Sequence, residues 1–81
     1  MNDKAAIMEL CEKVRWLQEP EFGDFKRKIG LYLDQTREGL ESSDKAFKKS
    51  LDELKYQVVY APNGDMEATR ALVVSKLKSL V

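Results

Sequence analysis

The stretch Phe47-Lys48-Lys49-Ser50-Leu51-Asp52-Glu53-Leu54-Lys55-Tyr56-Gln57-Val58-Val59-Tyr60-Ala61-Pro62 decides how this chain folds. Phe47, Leu51, Leu54, Val58 and Ala61 recur at steps of four, three, four and three, the heptad-like spacing that lines one side of a helix. The end of the stretch reads differently. Tyr56-Gln57-Val58-Val59-Tyr60 is rich in β-branched and aromatic residues, the composition of a strand. The stripe nevertheless continues through Val58, and a lone strand has no partner for its backbone groups. Helix is therefore the expectation over 44–60, and three helices plus a β-like piece at 56–60 is the alternative. Pro62 disfavours helical backbone at Ala61 and closes the segment. Ser42, Ser43 and Asp44 offer candidate N-caps at its start.

Turn signals bound this segment and recur once more upstream, at Gln18-Glu19-Pro20, at Gly39 to Ser43 and at Ala61-Pro62-Asn63-Gly64. They divide the chain into helical segments at about 3–18, 20–38, 44–60 and 65–80, with links of ordinary bundle length. In the first, Asp3 is placed as N-cap, and Ala6, Ile7, Leu10, Cys11, Val14 and Leu17 form one stripe at about 100° per residue. In the second, Pro20 suits the first turn, and Phe22, Phe25, Ile29, Tyr32, Leu33 and Thr36 share a face. Gly23 and Gly30 each cost about 1 kcal/mol in a helix interior, so close approach to a neighbour is one reason to keep them. Gly39 fits the position after the helix, with apolar Leu40 following it.

The last segment is capped by Asp65 and carries Met66, Thr69, Val73, Leu77 and Leu80 on one stripe. Ala68 and Leu72 widen it on one side, and Val74 and Val81 on the other. Such a helix is expected to pack centrally against two neighbours or to meet another chain. Together the segments predict an all-α fold, a small compact bundle of four short, mostly antiparallel helices forming one domain over 1–81.

Size sets a ceiling on function. A chain of 81 residues and 9.3 kDa folds to a surface of about 5,000 Å² against about 13,500 Å² extended, enough for one small core and no interdomain cleft. Fourteen basic residues balance fourteen acidic ones, which removes the usual electrostatic case for nucleic acid or an anionic membrane. No apolar run is long enough for a transmembrane helix or a signal peptide. Histidine is absent and Cys11 is the single cysteine, so no internal disulfide, zinc site or histidine-based acid–base pair is available. Phosphate-cradling glycine motifs and nucleophile elbows are absent as well. The expectation is a cytoplasmic, non-enzymatic protein with no catalytic, metal or cofactor residues and no small-molecule ligand. Cys11, lying in the first stripe, is expected to be a small buried hydrophobe.

Residues that fall off their stripes carry the functional signal. Trp16, Leu31, Tyr56, Val59 and Tyr60 are the candidates for contact with a partner chain, since tyrosine and tryptophan are favoured anchors. For Trp16 the competing role is to seal the end of the bundle against Phe22 or Tyr60. Leu31 is placed in a patch with Trp16 or Met8; a wide helix face touching two neighbours is the plainer account of all the scattered residues. Lys26-Arg27-Lys28 points in three directions on a helix and makes no patch unless Lys48 or Lys55 joins it from a neighbour. A helix-turn-helix drawn across Pro62 to Asp65 has an acidic start to its reading helix and few cations beyond.

The expected partner is therefore another protein, met by a regulator, inhibitor, immunity protein or adaptor. Alternatives are a homodimer that covers the surplus apolar surface of the last segment and, last, a nucleic-acid-binding helical domain. Many unrelated small bacterial and phage helical proteins share this four-segment pattern, a likeness of architecture that transfers no residues.

Overall fold

The computed structural model describes residues 3–40, 45–62 and 64–81. Within them run α1 (Asp3–Trp16), α2 (Phe22–Gly39), α3 (Lys45–Val59) and α4 (Met66–Ser79), with no strand among the described residues. The strand-like Tyr56–Tyr60 piece is helical through Val59, and the Tyr60 N–H still bonds the Tyr56 carbonyl at 3.3 Å. Burial explains why period outweighs composition here. Leu51, Leu54 and Val58 are all buried, and only helical spacing brings them to one side.

Several boundaries differ from the sequence expectation. Asp3 is the first residue of α1 rather than its cap, and α1 ends at Trp16, before Gln18. Pro20 lies in the link, and α2 starts beyond it at Phe22 with an extended Glu21 as N-cap. The chain reverses between buried Leu17 and half-buried Phe22, which uses Pro20 for the turn instead of the helix. Gly39 stays inside α2. Leu40 is the extended C-cap, its N–H on the Arg37 carbonyl at 3.3 Å, and this conformation drops its side chain into the core. Asp65 caps α4 as expected, its carboxylate accepting the Glu67 N–H at 2.9 Å. The proposed caps Ser42, Ser43 and Asp44 lie outside the described residues.

Cross-helix contacts fix the directions. On α2 and α3, Lys26 reaches the Ala61 carbonyl, Gly30 meets Val59, Asp34 pairs with Lys55 at 2.8 Å and Arg37 with Asp52 at 3.0 Å. One number rises as the other falls, so the pair is antiparallel. The same inversion relates α1 and α4, where Arg70 bonds Val14, the Cys11 thiol faces the Val74 carbonyl, and Met8 lies beside Val81. It relates α1 and α2 too, through Lys13 over the Tyr32 ring and Glu9 beside Gly39. The bundle runs up-down-up-down. Its helices bury Ile7, Leu10 and Val14, then Phe25, Ile29 and Leu33, then the α3 triplet, then Val73 and Leu77. Each such side chain contributes about 1.5–3 kcal/mol, and no polar or charged described residue is buried with them.

The helix α4 does not sit centrally. It leans on α1 and touches α3 lightly, leaving a groove of about 200 Å³ between Ser50, Glu53 and Gln57 on one side and Lys76 and Ser79 on the other. Leu72, Ala68 and Val81, assigned to a widened apolar face, are exposed instead, while Val74 is half-buried.

Two details hold the packing at fixed distance. A methyl group added at Gly30 would lie 2.9 Å from Val59 Cγ2, closer than such atoms pack. Glycine is therefore what lets α2 and α3 approach. At one end of the bundle Arg70 of α4 donates to the Val14 and Arg15 carbonyls, each at 2.7 Å. These belong to the last turn of α1, whose carbonyls have no partner within the helix; the Leu17 N–H just past it also reaches the Val14 oxygen, at 3.3 Å. The same guanidinium stacks 5.2 Å from the Phe25 ring and pairs with Glu67 at 3.1 Å.

Substituting Gly30→Ala gains about 1 kcal/mol in helix propensity and meets an overpacking cost of about 1–3 kcal/mol, because Val59 has little χ1 freedom in a helix. The expected net effect is destabilisation in urea unfolding, relieved in a Val59→Ala background. A Gly30→Ala protein as stable as its parent would show that the helices are not this close. Arg70→Met should lower stability by about 2–3 kcal/mol, the worth of charge-assisted bonds to carbonyls. An unchanged melting temperature would show that water serves those carbonyls equally well.

Candidate protein-binding face

The close contact of Gly30 with Val59 orients the next residue on each helix. Leu31 succeeds Gly30 and Tyr60 succeeds Val59, so each is turned about 100° from the contact. In an antiparallel pair the local twofold relation carries that turn to the same side on both helices. That side is solvent: Leu31 is 48% exposed and Tyr60 is 68% exposed. Tyr56, one turn earlier on α3, is also 68% exposed, and its ring lies 5.1 Å from that of Tyr60 with the planes tilted by 31°. Val59 is half-buried and forms the floor between the helices. Four of the five candidate residues thus belong to the outward face of the α2·α3 pair.

Trp16 does not. It is 72% exposed at the end of α1, so it does not seal the bundle against Phe22 or Tyr60. Its indole N–H donates to one oxygen of Glu12 at 3.1 Å, while Arg15 pairs with the other oxygen at 3.1 Å. The ring is held against its own helix. The residues around Leu31 include neither Trp16, which is bonded to Glu12, nor Met8, which lines a groove with Leu77 and Val81. Leu31 instead stands in a shallow depression of about 310 Å³ edged by Glu19, Asp24, Arg27 and Lys28.

Charge crosses the middle of the face. The Lys55–Asp34 and Arg37–Asp52 pairs bridge the helices in succession. The Lys55 amine is raised above the ordinary lysine value, chiefly by its hydrogen bond to Asp34; desolvation opposes this, and the charges of Asp34, Tyr60 and Asp52 add to it. Beyond the pairs lies a wider depression of about 470 Å³ ringed by Arg37, Lys45, Lys48, Lys49 and Asp52. Sequence reasoning missed this cluster. Its signal was the spacing of Lys45, Lys48 and Lys49, which shares one helical side, but the contribution of Arg37 depends on which helix lies alongside. The Lys26-Arg27-Lys28 run makes no patch: Lys26 is turned to Ala61 and the Phe22 ring, and Arg27 pairs with Asp24 at 3.2 Å.

No family model, curated protein or solved structure matches this chain. Among the described residues no helix is long and apolar enough to cross a membrane, and Cys11 is buried. What the α2·α3 face offers chemically is apolar and aromatic contact area with charged groups around it, the make-up of a protein-contact surface.

A lysine raised by its partner carries a definite pH signature. The pair's favourable contribution is fully present below the unfolded-state value and is lost as pH rises through the higher folded value, so it is intact at neutral pH. Asp34→Asn should bring the Lys55 titration, followed by NMR of its side chain, back down toward ordinary lysine. An unshifted titration would mean that the pair is open in solution.

Proposed function

We propose that this protein is a small non-enzymatic binding module, of the regulator, inhibitor, immunity or adaptor kind, that docks another protein on the outward face of α2 and α3. The reading is carried by the exposure of Leu31, Tyr56 and Tyr60, which helical geometry about the Gly30–Val59 contact puts on one side of the α2·α3 pair. Isolated exposed apolar residues need no explanation, whereas three large ones on one face, two of them tyrosines in ring contact, resemble interface anchors. Tyrosine suits this position because it buries large area at small loss of side-chain freedom. The rim beside Leu31 is mixed, with Glu19 and Asp24 beside Arg27 and Lys28, while Lys45, Lys48, Lys49 and Arg37 further along favour an acidic partner surface. A reducing compartment such as the cytoplasm fits a buried, unpaired Cys11.

A partner captured from the native host and identified by mass spectrometry allows the face to be tested by affinity. Leu31→Ala and Tyr60→Ala are expected to weaken binding about thirtyfold or more, the roughly 2 kcal/mol of a true anchor. Both side chains are exposed, so the melting temperature should barely move. Trp16→Ala should leave affinity unchanged. The reading fails if Leu31→Ala and Tyr60→Ala bind as the parent does.

A further inference from the structure

The outward stripe of α3 changes character along its length. Lys45, Lys49, Asp52, Tyr56 and Tyr60 follow at steps of four, three, four and four, so basic and aromatic groups occupy opposite ends of one line. From Lys49 to Tyr56 the helix rises about 10 Å, a span that one short segment of another protein covers. At the basic end, Arg37 is the only cation of the depression with a described ion-pair partner, Asp52. Lys45, Lys48 and Lys49 make no described ion pair, and three- and four-residue spacing sets Lys45 beside both of the others, while Asp52, a turn further on, is taken by Arg37. They also stand in the first turns of α3, where the helix dipole disfavours cations. The other helices each carry an acid in the first turn, Asp3, Asp24 and Glu67, and α3 has none within it. Repulsion of this kind is relieved by an anionic ligand.

We infer that the depression between Arg37, Lys45, Lys48 and Lys49 receives a cluster of carboxylates on the docked protein, while adjoining apolar residues of the same segment cover Tyr56 and Tyr60. This deepens the proposed docking role of the α2·α3 face and rests on it. Single-stranded nucleic acid is the other class that combines cations with aromatic rings. Its phosphates repeat at every nucleotide, however, and a strand laid from the lysines to the tyrosines crosses Asp34, Asp52 and Glu53. An acidic protein segment needs charge at one end only, which matches the way the face is divided.

The test is an NMR titration of the intact ¹⁵N-labelled protein with a synthetic peptide carrying a run of glutamates followed by leucine and phenylalanine. A second peptide has every glutamate replaced by glutamine, and an oligothymidylate of equal charge is the third probe. Expected are shifts at Arg37 and Lys45 to Lys49 and at Tyr56 to Tyr60 with the acidic peptide, and at the tyrosines alone with the glutamine peptide, at least tenfold weaker. Substituting the exposed pair as Lys45→Gln/Lys49→Gln should erase most of that difference without lowering the melting temperature. High salt should also erase it. If both peptides bind equally at the tyrosines, the carboxylate site is overturned and the docking face stands. Should neither peptide shift either region, both readings fall. Tighter binding of the oligothymidylate than of the acidic peptide would overturn the inference in favour of nucleic acid.

Discussion

The distance between α2 and α3 at Gly30 and Val59 governs the rest of this structure. With no side chain at Gly30, the Val59 methyl occupies space that any other residue would fill. One turn along, the same approach brings Asp34 to Lys55, and another turn brings Arg37 to Asp52. These partly exposed ion pairs add little stability by themselves. Their value lies in register, since a slip by one residue would separate both pairs and lift Val59 off the glycine. Leu31 and Tyr60 owe their common orientation to the same contact, being its immediate successors on the two helices. A wider spacing would leave two unrelated exposed side chains in place of one face.

Helix ends supply a second constraint, and cations meet it. Arg70 reaches the last carbonyls of α1, and Lys26 reaches the Ala61 carbonyl just past α3. Both act at the same end of the bundle, where the negative ends of the α1 and α3 dipoles lie. Long side chains from neighbouring helices thus replace the left-handed glycine caps that this chain lacks among its described residues. At the opposite end of the α3·α4 seam no such clamp is described, and the groove beside Lys76 and Ser79 is open. The result is an uneven bundle. The pair that carries the aromatic face is held along its length, while α4 is secured mainly through α1. For a binding surface that asymmetry is useful, because anchors that are already in place lose less entropy on docking.

Helical spacing made the fold legible. Every residue of the four principal stripes is buried or half-buried, down to the ambiguous end of α3, because period-3.6 burial is a one-dimensional pattern; Ala68, Leu72 and Val81, which widened the last stripe, are exposed. The pattern placed Leu31, Tyr56 and Tyr60 off their stripes but left open whether a wide buried face takes them in, and the structure exposes all three. What stayed hidden depends on neighbours. Trp16 reads equally well as a seal or as an exposed ring until its helix is known to pack on α2 and α4, which leaves the indole to Glu12. Arg70 gave no signal as a clamp, since its partners lie more than fifty residues away in α1. The basic depression needed Arg37 to stand beside α3. Gly39 was misassigned because a glycine before an apolar residue fits a left-handed cap, whereas here the chain drops buried Leu40 inward through extended backbone.

Net charge was the weakest guide of all. Equal numbers of acids and bases argue against a strong long-range field, but that average says nothing about how charge is arranged within a Debye length of about 8 Å. Along and just past α3 the arrangement is segregated: three lysines at the start, Asp52 and Glu53 in the middle with Lys55 paired to Asp34, and tyrosines at the end. At short range a partner senses this sequence of patches and not the total. A chain with no overall preference for anions therefore presents one local place that favours them, beside an aromatic surface that favours apolar groups. The spacing between those two places is set by backbone rise and the tight α2·α3 packing, so under the proposed docking role a partner has to match it as well as the chemistry. In the proposed docking role, specificity of that sort would come from geometry held rigid, and the glycine inside α2 that brings the two helices together is what holds it.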